Sequence, residues 1–258
     1  MLLAIDIGNS NITVGLFKKD DVNSAPDITW RLATDTSKIT DDYSIAINQL
    51  MIHKGVDICD ISAISICSVV PPLTTVFVEL CERFFSIKPL VVTSEMNTGI
   101  KILYDNPSDV GTDRIVDSAA ALRLYGGPVV IVDMGTAIVF DAITKNGDYL
   151  GGAIAPGIAI AADALFHSTS QLRRVELVAP RTAIGTNTVH AIQSGLMLGY
   201  SDLIKGMVKR FEAELGGNAK IIGTGGLSRI MANEVKIFDI VNIDLTLQGL
   251  HLIYNFNS

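Results

Sequence analysis

Two short stretches set the same residue types in the same order: Ile5-Asp6-Ile7-Gly8-Asn9 and Val132-Asp133-Met134-Gly135-Thr136, at an offset of 127 residues. In each, an apolar run ends in a carboxylate, followed by a glycine, a small polar side chain and a second apolar run. A carboxylate at the mouth of a hairpin is a hard oxygen ligand for a cation. The glycine lets backbone N–H groups approach a phosphate, and the Asn or Thr adds a donor. One such hairpin is ordinary turn chemistry. Two of them, opening two halves of one chain, read as loops able to hold a metal–triphosphate from both sides. Val110-Gly111-Thr112-Asp113-Arg114 adds an acid and a cation at the start of a predicted helix, where an acid is equally at home beside the helix dipole.

Other nucleotide signatures fail. No Gly-x4-Gly-Lys-[Ser/Thr] loop occurs, and Gly223-Thr224-Gly225-Gly226 meets Ser228 where a dinucleotide fingerprint needs glycine. That segment lies between a predicted strand and helix and could let an adenosine ring lie on the backbone; a plain turn explains it as well. The glycine run 151–157 either ends a strand and starts a helix or admits a ligand chain against backbone. His53, His167, His190 and His251 lack metal-ligand spacing. Cys59, Cys67 and Cys81 form no Cys-x-x-Cys pair, which fits thiols in a reducing compartment.

The elements that must position these residues alternate between apolar periods of 2 and 3.6, the pattern of an α/β protein. Strands are predicted at 2–7, 12–17, 28–33, 61–68 and 90–93, and helices at 41–54 and 73–85. Thr40 is placed as the cap of the first helix, Gly55 as its stop, and Tyr43, Ile47, Leu50 and Met51 as its apolar face. A helix over 109–125 follows, and then the opening pattern repeats with strands at 129–133, 137–143 and 149–154. Asn146-Gly147 predicts a type I′ turn between the last two. Helix 157–166, a long helix 188–215, strand 220–223, helix 226–233, strand 237–241 and a last helix 245–254 complete the chain. Duplication accounts for the repeat. The boundary is set at 108/109, giving an N-terminal half 1–108 with the first loop and a C-terminal half 109–258 with the second.

The chain carries 20 Lys and Arg against 27 Asp and Glu, a net charge of −7 over 258 residues, with 48% apolar residues. That composition folds, and it lacks the clustered basic excess a nucleic-acid binder needs. Its apolar stretches are interrupted well short of the roughly 18 to 20 residues of a membrane span. Residues 1–9 have no positive n-region and reach an acid at Asp6, so no export signal is expected and a cytoplasmic location is.

Taken with Tyr104-Asp-Asn-Pro107, Gly151-Gly-Ala-Ile-Ala-Pro-Gly157 and Gly185-Thr-Asn-Thr188, the three motifs above resemble type III pantothenate kinase, in the superfamily of acetate and sugar kinases, Hsp70 and actin. The resemblance runs from Met1 to about Tyr254. It implies duplicated ribonuclease H-like (actin-like ATPase) α/β domains, each a mixed sheet flanked by helices. It implies ATP-dependent phosphorylation of pantothenate to 4′-phosphopantothenate, the opening step of coenzyme A synthesis. Asp113 would be the general base toward the pantothenate hydroxyl. Tyr104, Gly111, Thr112, Arg114 and Thr188 would contact pantothenate, with the C-terminal half carrying most of that site. Asp6, Ile7, Gly8, Asn9, Ser10, Asn11, Ile12, Thr13 and Thr136 would bind ATP, with Asp6 acting on Mg²⁺. Asp133 would hold a monovalent cation, K⁺ or NH₄⁺. A homodimer is implied, with Thr188 at its interface; Ala191, Gly195 and Gly199 would suit close helix approach there, or equally internal packing. Two rivals share the fold: a non-catalytic transcriptional accessory factor, against which Asp113 and Arg114 are intact, and a polyphosphatase-like hydrolase, against which the acidic charge argues.

Overall fold

The computed structural model describes residues 1–18 and 21–258. In chain order the strands are β1 (Leu2–Ile7), β2 (Asn11–Phe17), β3 (Ile28–Ala33), β4 (Ala63–Ser68), β5 (Leu90–Val91), β6 (Lys101–Ile102), β7 (Val129–Met134), β8 (Ala137–Ile143), β9 (Asp148–Pro156), β10 (Lys220–Thr224) and β11 (Ile240–Val241). The helices are α1 (Thr40–His53), α2 (Pro71–Phe84), α3 (Thr112–Tyr125), α4 (Ile158–His167), α5 (Thr188–Gln193), α6 (Gly199–Glu214), α7 (Ser228–Val235) and α8 (Leu245–Asn257). They gather into two compact units, Met1–Leu124 with Asp244–Ser258, and Tyr125–Ile243. The sequence boundary at 108/109 follows the repeat. Compactness instead divides the chain at the end of α3 and returns α8 to the first unit.

In the first unit the sheet order is β3-β2-β1-β4-β5, with β1–β2 and β2–β3 antiparallel and β1–β4 and β4–β5 parallel. Strand alternation sorts the side chains. Leu3, Ile5 and Ile7 face α1 and α2, meeting Tyr43, Ile47, Met51, Leu73 and Phe77. Leu2, Ala4, Ala63 and Cys67 face the other way, onto Val116 and Ala119 of α3 and Leu247, Leu250, Leu252 and Ile253 of α8. Gly249 of α8 lets those two helices touch, since a methyl there would overlap the Val116 carbonyl.

In the second unit, β9-β8-β7-β10-β11 repeats the same order and the same senses, with β7–β8 and β8–β9 antiparallel and β7–β10 and β10–β11 parallel. Val130, Val132 and Met134 of β7 pack with Ile204 and Val208 of α6 and Met231 and Val235 of α7. Each unit is thus the mixed sheet flanked by helices that the resemblance implies. Among the described residues, no helix is long and apolar enough to cross a membrane.

Several local features differ from expectation. Thr40 lies inside α1 rather than capping it; its hydroxyl donates to Glu79 of α2 (2.8 Å), and Asp42 accepts the Ile39 N–H at the helix start (3.0 Å). Helix α3 starts at Thr112, not residue 109, because Pro107–Asp109 closes a separate 3₁₀ turn in which the Asn106 amide donates to Asp109. The turn at Asn146-Gly147 is not type I′, since Gly147 has positive φ and Asn146 does not. The Gly147 N–H donates to Thr144 O (3.1 Å), and the β8–β9 register shifts at Ala142/Ile143, so the connection is a three-residue turn with a bulge. The long helix is interrupted by a π-helical turn at Ser194–Leu198 between α5 and α6. Its cap is Asn187, whose side chain accepts the His190 N–H (3.0 Å), and Thr188 follows as the first helical residue.

Candidate active site

Each carboxylate of the repeated motif stands near the end of its unit's central strand. Asp6 pairs with Thr13 across the hairpin and with Cys67 on the parallel side; Asp133 pairs in the same way with Val139 and Thr224. The two turns differ by one residue. The Gly8 N–H donates to Asn11 O (3.0 Å), whereas the Gly135 N–H donates to Ala137 O (3.0 Å), so the first loop is longer. It is tied down by Thr34 at the end of β3, whose hydroxyl donates to Gly8 O (2.6 Å) and whose N–H donates to Ser10 O (3.2 Å). Asn9, Ser10 and Asn11 are exposed, while Ile7 and Ile12 are buried in the core and can offer a ligand only backbone.

Strand alternation puts Asp6 on the face of Leu2 and Ala4, the face covered by α3. The start of α3 reaches the same place. The Thr112 hydroxyl donates to Ser68 O at the end of β4 (3.0 Å) and lies 3.3 Å from Cys67 Sγ. Asp113 follows in the first turn of α3, where it accepts the Arg114 N–H (2.8 Å). Gly111 leaves room for that carboxylate, because a Cβ there would come within 2.5 Å of Asp113 Oδ1. Burial raises the Asp113 pKa above the ordinary carboxylate value, opposed by its hydrogen bond with the Arg114 N–H and by the Arg114 charge. Cys67 pairs with Asp6 across β1–β4 and touches Thr112, the residue before Asp113. Burial pushes its thiol well up, reinforced by the negative charges of Asp6, Asp113 and Asp117. Tyr104 is half-buried in the irregular segment between β6 and the 3₁₀ turn.

In the second unit, glycines shape the loop around Asp133. Gly225 has φ +86, and a Cβ there would overlap Asp133 Oδ1 and the Met134 backbone. Gly157 donates its N–H to Thr136 O (3.1 Å), and a Cβ on it would overlap the backbone of Gly135 and Thr136. Asp133, Thr136, the glycine run ending β9 and the glycine turn after β10 thus come together. Thr188 is exposed at the start of α5.

Sequence reasoning passed over three contributors. Cys67 carried no visible signal, Asp117 follows Asp113 at i+4 on the same helix, and Thr34 shows itself only through the strand pairing that brings β3 beside the loop.

These cradles suit a metal–nucleotide. Among the described residues no group of three or more His, Cys, Asp or Glu could hold a metal ion. Single carboxylates at Asp6 and Asp133, each beside a tight glycine turn, fit a cation whose remaining ligands are phosphate oxygens and water.

Two units of one strand order, each with an acid at the end of its central strand, define the ATPase fold shared by sugar kinases and actin. Solved structures agree in fold. A conserved protein described as a Baf family transcriptional activator from Campylobacter jejuni matches with a TM-score of 0.62 at 24% identity, covering 99% of this chain and 98% of its own. An inorganic polyphosphate/ATP-glucomannokinase from Arthrobacter matches with a TM-score of 0.56 at 16% identity, covering 100% and 99%. The chain belongs to the type III pantothenate kinase family, whose sequence model matches residues 2–210. Type III pantothenate kinases from Moorella thermoacetica and Dehalococcoides mccartyi are each 45% identical to it; the first covers 100% of both chains, the second 100% of this chain and 96% of its own.

Proposed function

We propose that this chain transfers the γ-phosphoryl group of ATP to the primary hydroxyl of pantothenate, giving 4′-phosphopantothenate and ADP, with Asp113 as the general base. The observation that carries this reading is that Cys67, the strand partner of Asp6, also holds Thr112 at the start of α3, so that Asp113, the next residue, starts its helix beside the first loop's strand. Phosphoryl transfer passes through a loose transition state, so positioning, charge neutralisation and a placed proton acceptor do most of the work. A carboxylate with its pKa raised by burial is a stronger base than one in water, and the Arg114 charge opposes that rise.

The residues Asp6 through Thr13 form the first ATP loop and Thr136 belongs to the second. Tyr104, Gly111, Thr112 and Arg114 contact pantothenate, whose carboxylate is a natural partner for a guanidinium. Because the Thr112 hydroxyl proton is directed at Ser68 O, its contact to substrate runs through backbone. Asp6 would hold Mg²⁺ and Asp133 K⁺ or NH₄⁺, ions that would supply positive charge to neutralise the phosphates. A cytoplasmic homodimer with Thr188 at its interface completes the proposal, supported by the exposure of Ile184 (84%) and Val178 (55%) in the segment that precedes α5.

The test is ADP release from the purified protein with ATP, Mg²⁺ and pantothenate, with and without K⁺ or NH₄⁺, beside Asp113→Asn. The expected result is pantothenate-dependent turnover that needs the monovalent ion and falls by about 10²–10⁴-fold in the variant. Pantothenate-independent ADP release would overturn the reading in favour of a hydrolase. A solution mass equal to one chain, with full activity, would overturn the dimer.

A further inference from the structure

Cys67 and Thr112 stand out as a pair that phosphate binding and proton transfer do not by themselves explain. Cys67 is fully buried, near the end of β4, in register with Asp6 on the neighbouring strand. Its Sγ lies 3.3 Å from Thr112 Oγ1, and that hydroxyl lies 3.0 Å from Ser68 O. A threonine hydroxyl has one proton and accepts through its lone pairs. With the proton directed at Ser68 O, Thr112 can only accept from the thiol, so the chain runs S–H to O–H to O=C in one direction. It fastens the first residue of α3 to the strand beside Asp6, and the next residue on that helix is Asp113.

We propose that Cys67 and Thr112 act together as positioning residues for Asp113, setting the height of the α3 N-terminus above the β1–β4 edge and so the reach of the carboxylate toward the substrate hydroxyl. The inference rests on the assignment of Asp113 as the base. Two features make the link consequential. Gly111, directly before Thr112, leaves the Asp113 carboxylate a narrow place, so a shift of the helix start moves the carboxylate with it. Without the Thr112 hydroxyl, Cys67 loses its acceptor and Ser68 O loses a donor in a half-buried place, which admits water beside Asp113.

The experiment compares Thr112→Ala, Cys67→Val, Cys67→Ser and the double variant Cys67→Val/Thr112→Ala with the wild type, reading kcat, both KM values, the acid limb of the kcat profile and the melting temperature. The expected result is a kcat about five- to tenfold lower in Thr112→Ala, since a misplaced reacting group costs rate more than ground-state binding. KM for ATP stays within about twofold, and the acid limb moves to lower pH as Asp113 becomes better hydrated. Cys67→Val, similar in size but without a donor, moves kcat and the acid limb the same way, and Cys67→Ser, which keeps a donor, restores both. The double variant is no slower than Thr112→Ala, because the two act as one unit.

An acid limb and kcat that stay put in Thr112→Ala and Cys67→Val, whatever the melting temperature does, would overturn the proposal and leave the pair a structural contact. Additive losses in the double variant would overturn the coupling. Asp113→Asn in the same series separates the premise: if it collapses while Thr112→Ala does not change, positioning alone is wrong, and if it retains full kcat, the base assignment falls and takes the positioning role with it.

Discussion

Asp113 carries opposing demands in one side chain. Its carboxylate is raised in pKa by burial, so the folded protein holds that proton more tightly than the unfolded chain does. The stability tied to the protonated form is present below the unfolded value near ~3.9 and lost as pH rises through the higher folded value. At neutral pH the ionised group is therefore a liability to the fold. Asp113→Asn should melt about 2 °C above the wild type at pH 7, with the gap closing as pH falls toward 4, in parallel thermal melts. Gly225 makes the opposite case. Its φ of +86 and the overlap of any Cβ with Asp133 predict that Gly225→Ala loses about 2 kcal/mol or more, read as a lower melting temperature. Its KM for ATP should rise more than its kcat falls. At this scale the sequence was informative wherever a residue type has an unusual duty: paired acids, glycines in tight turns, an Asp-Arg step at the start of a helix. Cys67 was invisible because its meaning comes from strand register, which sets it beside Asp6, and from a helix start 45 residues away.

Helix starts and turns depend on side-chain choices that compete over three or four residues, and the differences from expectation concentrate there. Residues 109–112 could have been the first turn of α3; the Asn106 amide and Pro107 close a private 3₁₀ turn that ends at Asp109 instead, and Thr112 opens the helix. Thr40 could have capped α1 but reaches across to Glu79 of α2, a partner no local pattern reveals. Periodicity found the interiors of the elements because burial on one face repeats along them, as in Leu3, Ile5 and Ile7 of β1. The π-helical turn between α5 and α6 left no mark on that pattern. Asn187 does leave one: an Asn directly before a helical run is a good cap. Asn187→Ala should cost about 1 kcal/mol. Amide hydrogen exchange over 188–198 should speed up severalfold while the strands of the same unit keep their protection.

On the scale of the whole chain, the repeat in strand order was readable from the repeated motif, and the two units it produces carry the same β arrangement. The path of α8 was not readable, because nothing in a helical pattern near residue 250 says which sheet it covers. It joins the first unit, placing Leu245, Leu247, Leu250, Leu252 and Ile253 in or beside the core that holds Leu2, Ala4 and Phe17. Each such side chain contributes roughly 1.5–3 kcal/mol, and together they rival the ~5–15 kcal/mol that holds a domain folded. A chain truncated after Ile243 should therefore lose the cooperative melting of the first unit and bind a hydrophobic dye, while a transition from Tyr125–Ile243 persists in calorimetry. That return also imposes an order on biosynthesis. Translation delivers Met1–Leu124 before Tyr125–Ile243, yet the face of its sheet that holds Leu2, Ala4 and Phe17 has only α3 over it until Asp244–Ser258 has been made, whereas Tyr125–Ile243 is complete beforehand. The unit begun first is thus finished after the one that follows it, and the nascent chain must keep Leu2, Ala4 and Phe17 from straying while all of Tyr125–Ile243 is made.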